Sequence, residues 1–233
     1  MNFFKKYLFG SAALVFATAL LVTSCKKSNY LEGGSLHSAK VNMTTYDYLQ
    51  SNSAGLFDTL LLLVDRAGLK DKINQQGVTF FAPTDYSINA YLSARAKEEQ
   101  NIDPFRQWTI DSMIKYEMPK FVDSINIYFV NGALTYDKLT QNGTLYPTLK
   151  QGNECVVSYE ETRDPALGYN PNVSTIPRIV YFTFLLKQLS PPIVAGDIQS
   201  DEGVHTRVQT SGIETTTGML HVLNNQHKLF FRK

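Results

Sequence analysis

Cysteine, tryptophan and histidine are scarce in this chain: 233 residues contain two, one and four of them. Two cysteines cannot build a disulfide framework. Charge of one sign is lacking too. Lys and Arg number 22 against 21 Asp and Glu, a net +1 that gives no general attraction for nucleic acid. The chain carries no Gly-x-Ser-x-Gly elbow, glycine-rich phosphate loop or His-Glu-x-x-His, so no catalytic residue emerges. His221 and His227 are six apart, which fits no standard zinc spacing, and His37 and His205 stand alone. Asp197, Asp201 and Glu202 do not follow the EF-hand order. The adjacent pairs Glu98-Glu99 and Glu160-Glu161 read as solvated. No metal or cofactor is implied. What the chain does have is apolar material, 43% hydrophobic against 18% charged, enough for a sizeable core and too little charge for disorder.

The N-terminus reads as an address. Lys5 and Lys6 precede an apolar run over residues 8–22, short for a membrane span and laid out like a secretory signal. The run ends in Leu21-Val22-Thr23-Ser24-Cys25, which resembles the lipobox of bacterial lipoproteins. The resemblance implies cleavage before Cys25 and a lipid thioether on its sulfur. Residues 1–24 are then a signal peptide, and membrane lipid is a partner through Cys25. Residues 25–43, rich in Ser, Asn and Gly, read as a flexible tether spanning about 25 Å. Cys155 lies in an apolar, strand-like run and reads as a buried, inert thiol.

The folded domain is expected over residues 44–233. Thr44 opens a short helical turn. Leu56, Leu60, Val64 and Ala67 recur at helical spacing, widened by Leu61 and Leu63, and Gly68 stops that helix. Residues 78–82 read as a strand ended by Pro83, which lacks an N–H. Thr84 or Asp85 can cap the next helix, carrying Ile88, Tyr91 and Leu92 on one side. Asp103-Pro104 signals a further helix holding Phe105, Trp108, Met113 and Ile114. Strands are expected at 125–130, 145–149, 155–159, 179–186, 204–210, 218–223 and 228–231, with a Pro, Gly and Asn-rich insertion between Arg163 and Pro177. Helices first and strands later indicate an α+β fold, with N-terminal helices packed on a β-sandwich or β-sheet core.

The order of motifs resembles the fasciclin (FAS1) domain family. Thr79-Phe80-Phe81-Ala82-Pro83-Thr84-Asp85 is similar to its first motif, and Leu56-Phe57-Asp58-Thr59-Leu60 to the helical prelude. Ile213-Glu214-Thr215-Thr216-Thr217-Gly218-Met219-Leu220-His221-Val222-Leu223-Asn224 resembles the second motif, with Thr217 where Asn is usual. Tyr116-Glu117 resembles the central Tyr-His element, Glu117 replacing His and so expected to be exchangeable for it. Thr79, Phe81, Ala82, Pro83, Thr84, Asp85, Tyr116, Gly218 and His221 are therefore fold-defining rather than catalytic positions. The resemblance implies a FAS1-like domain acting as a lipid-anchored, non-enzymatic adhesion or binding module of the cell envelope, its ligand a protein, matrix component or glycan. A second reading is an accessory that captures glycan for a polysaccharide-uptake system, with Tyr136, Tyr146, Tyr159 and Tyr169 as a candidate aromatic platform. Attachment to the outer membrane is expected. Lys26-Lys27-Ser28-Asn29, with no early acid, leaves both of its faces open.

Overall fold

The computed structural model describes residues 39–167, 174 and 176–232. The lipobox, Cys25 and Tyr169 lie outside the described residues.

The helices come first. α1 (Thr45–Gln50) starts at Thr44, whose hydroxyl accepts from Asp47 N at 3.2 Å. α2 (Asp58–Arg66) buries Leu60, Leu61, Leu63 and Val64 and ends at Gly68, which has φ 67°. The Leu69 amide reaches back to Val64 O at 2.9 Å, the closing bond of a glycine-ended helix. α3 (Lys70–Ile73) follows as one turn. α4 (Asp85–Ile102) buries Ile88 and Tyr91, and Leu92 packs partly beneath it. The helix expected to start at Asp103 is displaced. Asp103 instead ends α4, and its carboxylate accepts from Phe105 N at 3.1 Å to hold a turn. That turn leaves Phe105 92% exposed, and α5 (Ile110–Tyr116) starts six residues later with a Thr109–Ser112 capping box. α6 (Met118–Ser124) begins at the next proline signal, Pro119.

Eight strands make one sheet: β1 (Ala39–Lys40), β2 (Val78–Ala82), β3 (Phe129–Asn131), β4 (Thr144–Pro147), β5 (Glu154–Glu161), β6 (Arg178–Leu185), β7 (Gly203–Glu214) and β8 (Gly218–Leu223). Their order is β3-β2-β8-β7-β6-β5-β4, with β1 lying parallel to the end of β7. Among the described residues only the β2–β8 and β1–β7 pairs are parallel. A bridge between Val130 and Thr148, with Leu149 N donating to Phe129 O at 2.9 Å, brings the two edges together into a near-barrel. β7 turns the corner. Its first residues pair with β6 and its later residues with β8, and two register shifts lie between Val208 and Ile213. Each inserts an unpaired residue and bends the strand.

The sheet shows three departures from the sequence reading. The folded domain starts before Thr44, because β1 already pairs within the span read as tether. Residues 125–128 are a 3₁₀ turn rather than strand, so β3 is three residues long. Ile125 and Ile127 flank the polar Asn126 with the alternation of a strand, and four residues are too few for that period to tell a strand from a 3₁₀ turn. Leu229–Phe231 is also a turn, with φ of 62° at Phe230 and 52° at Phe231. The unfavourable backbone drops the Phe231 ring against Phe184 (4.8 Å) and Phe182 (5.4 Å) in the core.

The main core joins the helices to the inner faces of β2, β8, β7, β6 and β5. Phe80 stacks on Phe129 at 4.4 Å, and Phe81 packs on Phe182 at 4.5 Å. Cys155 is buried there, and burial pushes its thiol well above the ordinary range.

Candidate functional site

The two family-like motifs meet side by side, since β2 and β8 pair along their whole length, Val78 opposite Gly218 and Phe81 opposite His221. Gly218 is required by the approach of the backbones. A Cβ on it would lie 2.2 Å from Val78 O. Thr79 is fully buried; its hydroxyl donates to Gly132 O (2.7 Å) and accepts from Leu134 N (2.9 Å). The His221 ring stacks on Phe81 at 5.0 Å. Its Nε2 donates to Leu134 O (3.2 Å) and its Nδ1 accepts from Gly212 N (3.3 Å), at the bulge of β7. Burial pushes His221 down to about 4, so the ring is neutral.

Asp85 does something other than cap its own helix. Its two carboxylate oxygens accept from Thr59 N (2.8 Å) and Leu60 N (3.0 Å), capping α2 from a distance. Thr84 stands at the start of α4 without a side-chain cap, and its hydroxyl bonds Asn225 Oδ1 at 3.0 Å. Phe81 and Ala82 are fully buried, and the strand ends before Pro83. Thr217, in the place of the usual Asn, accepts from Thr45 N (3.1 Å) and shares a buried hydroxyl cluster with Thr45 and Thr215. The cluster fastens α1 to the β7–β8 turn.

Tyr116 does not join this set. It is 62% exposed, beside Trp108 at the end of α5, and holds nothing in the core. The tyrosine that pairs with a buried histidine is Tyr128. Its hydroxyl accepts from Phe230 N (2.7 Å) and donates to His227 Nε2 (2.8 Å). Burial pushes His227 down to about 3. Nothing in the apolar run around Tyr128 marked that residue out in the sequence.

Glu117 is engaged through both carboxylate oxygens. One oxygen accepts from Tyr91 OH (2.7 Å) and the other from Arg95 Nε (3.1 Å). Arg95 also reaches Glu98 (2.6 Å) and Glu99 (3.2 Å), so the acidic pair read as solvated converges on one guanidinium. The i, i+3 and i, i+4 spacing of Arg95, Glu98 and Glu99 was the available signal. Lys120 donates to Tyr91 OH at 2.7 Å, and Arg232 pairs with Glu98. This network closes a small cleft between α4, α6 and the Leu229–Phe231 turn.

Among the described residues the three candidate platform tyrosines are engaged separately. Tyr136 hydrogen-bonds Ser211, Tyr159 lies under Arg178 (4.6 Å), and Tyr146 is half-buried in β4. Asp201 and Glu202 pair with Lys187 at the surface. Among the described residues no three His, Cys, Asp or Glu side chains gather as a metal site, and no helix is long and apolar enough to cross a membrane.

One open cleft of about 440 Å³ lies over the outer face of β6 and β7, within the range of small-ligand pockets. Tyr181 and His205 stack at 4.3 Å along one wall. Thr183 Oγ1 and His205 Nδ1, 2.7 Å apart, fix the imidazole. Burial lowers the His205 pKa, against the pull of Glu160. Arg207, Asn224 and Gln226 complete the polar lining, and Ala166 and Leu167 the apolar part. These residues come from four segments distant in sequence, so no local pattern joins them into a site.

A family profile described as the fasciclin domain matches residues 55–226. No curated protein matches the chain. Among solved structures, the chain is similar to the FAS1 domain pair from the insect cell adhesion molecule fasciclin I. Identity is 16% and the TM-score 0.44, over 77% of this chain and 47% of that one, so the chain spans about half of that structure's length. With both of its motifs folded side by side on β2 and β8, the chain belongs to the fasciclin domain family.

Proposed function

We propose that this chain is a non-enzymatic binding module of the cell envelope, held to the outer membrane by lipid on Cys25. The observation that carries the first half is how the motif side chains are used. Thr79, Asp85 and His221 spend their hydrogen bonds on backbone groups of the fold, which leaves none of them poised for proton transfer or nucleophilic attack. Family membership supports the same reading, since fasciclin domains are associated with adhesion. The lipobox-like run ending at Cys25 supports the anchor.

Two measurements test this function. Immobilised matrix proteins and glycans presented to the full chain in detergent should show saturable binding to at least one class, without turnover. Conversion of any of them to product would overturn the reading. Proteinase added to intact cells should remove the domain if it faces outward; full protection until lysis would rule out contact with another cell.

The glycan-capture role is a second reading, favoured by the cleft over β6 and β7, where a stacked aromatic pair faces amide and guanidinium groups.

A further inference from the structure

The side chains of Arg207, Asn224 and Gln226 have no hydrogen-bond or ion-pair partner among the described residues, yet all three line one cleft. Asn224 is the most telling of them. The residue is only 9% exposed. Its backbone is fully used, the N–H donating to Arg207 O (2.9 Å) and the C=O accepting from His227 N (3.1 Å), while its carboxamide is left without a partner at the cleft. The carboxamide is not sealed in the core: it opens into the cleft, where the donors and acceptors of a ligand can reach it. Arg207 is half-buried with a guanidinium that pairs with no carboxylate; Glu160, the acid on this face, lies against His205 Nε2 at 3.8 Å instead. A fork of donors without an acceptor is matched by a planar anion, and a carboxylate can take it in bidentate fashion.

We propose that this cleft binds a carboxylate-bearing sugar of an acidic glycan. The inference rests on the binding-module reading and names its ligand class. Arg207 takes the carboxylate. The Asn224 and Gln226 carboxamides each offer both a donor and an acceptor, the pairing that ring hydroxyls require. The stacked Tyr181 and His205 rings supply an apolar wall for the sugar's C–H face. An extended acidic peptide suits the place less well. Both β6 and β7 are interior strands, paired on each side, so they offer no free edge for a peptide backbone to join.

Calorimetric titration of the full chain in detergent tests the proposal with three probes: trigalacturonate, its methyl ester and hexaglutamate. The free acid is expected to bind saturably, and the ester about tenfold or more weaker because the bidentate ionic contact is lost. Arg207→Gln is expected to abolish the preference for acid over ester, and Arg207→Lys to restore only part of it. Unchanged melting temperatures for both variants separate this from loss of fold. Equal affinity for acid and ester, tighter binding of hexaglutamate, no saturable binding of the acid, or an Arg207→Gln variant that binds like the parent would each overturn the acidic-glycan inference and leave the binding-module reading standing. Shortening of the trisaccharide during the titration would overturn the non-enzymatic reading instead.

Discussion

Asp85 belongs to the first turn of α4 but spends its carboxylate on the first turn of α2. The N-terminal amides of α2 have no other side-chain cap, because Phe57 occupies that position. Asp85→Ala is therefore expected to cost about 1–2 kcal/mol, read by urea unfolding, and Asp85→Asn less, since one acceptor remains. Gly218 answers a different constraint, the 2.2 Å between an added Cβ and Val78 O. Separating β2 from β8 to fit Gly218→Ala should cost roughly 2–4 kcal/mol in the same assay. The buried histidines set the acid limit. His221 and His227 titrate near 4 and 3 when folded, both pushed down by burial from the ordinary 6.5. Above about pH 6.5 neither the folded nor the unfolded chain protonates them, and their contribution is complete. As pH falls from there toward 4, the unfolded chain takes up protons that the folded chain refuses, so stability drops. The expected loss between pH 7 and 4.5 is on the order of 2–3 kcal/mol per histidine. His227→Gln, which can still accept from Tyr128 OH, should flatten that slope. An unchanged slope would show that the carboxylates, not this ring, govern the acid limit.

At the scale of elements, the joints are made by polar side chains and by bends. Glu117 sits between α5 and α6 and ties both to α4 through Tyr91 and Arg95. Its side chain is 13% exposed, so removing it leaves Tyr91 OH without its acceptor and Arg95 Nε unpaired, with only Glu98 and Glu99 left to hold the guanidinium. Glu117→His is expected to destabilise by about 2–3 kcal/mol. A double-mutant cycle with Arg95→Ala should show strong coupling, because the two substitutions remove the same contact. Simple additivity would mean that the pair contributes nothing of its own. The second joint is the bulge in β7. Gly212 has φ 76°, and a Cβ there would meet the Tyr136 ring at 2.9 Å. Its amide also donates to His221, so the bend, the histidine and the loop carrying Tyr136 depend on one position.

For the whole molecule, the near-barrel gathers the two fasciclin motifs into one buried pair of strands and leaves the outer face of β6 and β7 to carry the cleft. That division lets one set of residues hold the fold while another lines the cleft. The proposed anchor is separate from both and rests on Cys25. Cys25→Ala is expected to shift the protein from the membrane fraction to the soluble fraction, or to leave it as a larger unprocessed precursor, in fractionated cells. A variant that fractionates and migrates like the parent would rule out the lipid anchor.

Local signals alone determined much of this architecture. Residues 78–82 and 218–223 were legible as strands with their observed bounds, because a β-branched and aromatic run was closed by Pro83 in the first and a mainly apolar run was opened by Gly218 in the second. The stop of α2 at Gly68 and the α+β order of helices before strands were legible for the same reason. Contacts between distant segments decided the rest. Asp85 reaches back 26 residues to Thr59, and Tyr128 forward 99 to His227; neither distance leaves a trace in a local pattern. Tyr116 and Tyr128 look alike in sequence, and only packing makes one a surface residue and the other a buried donor. The cleft is the clearest case, because Arg207 and Asn224 become neighbours only when β7 and β8 pair, and the strand carrying Tyr181 lies along the other side of β7. Backbone propensity and hydrophobic period act within a few residues, whereas a binding surface is a property of which strands lie side by side.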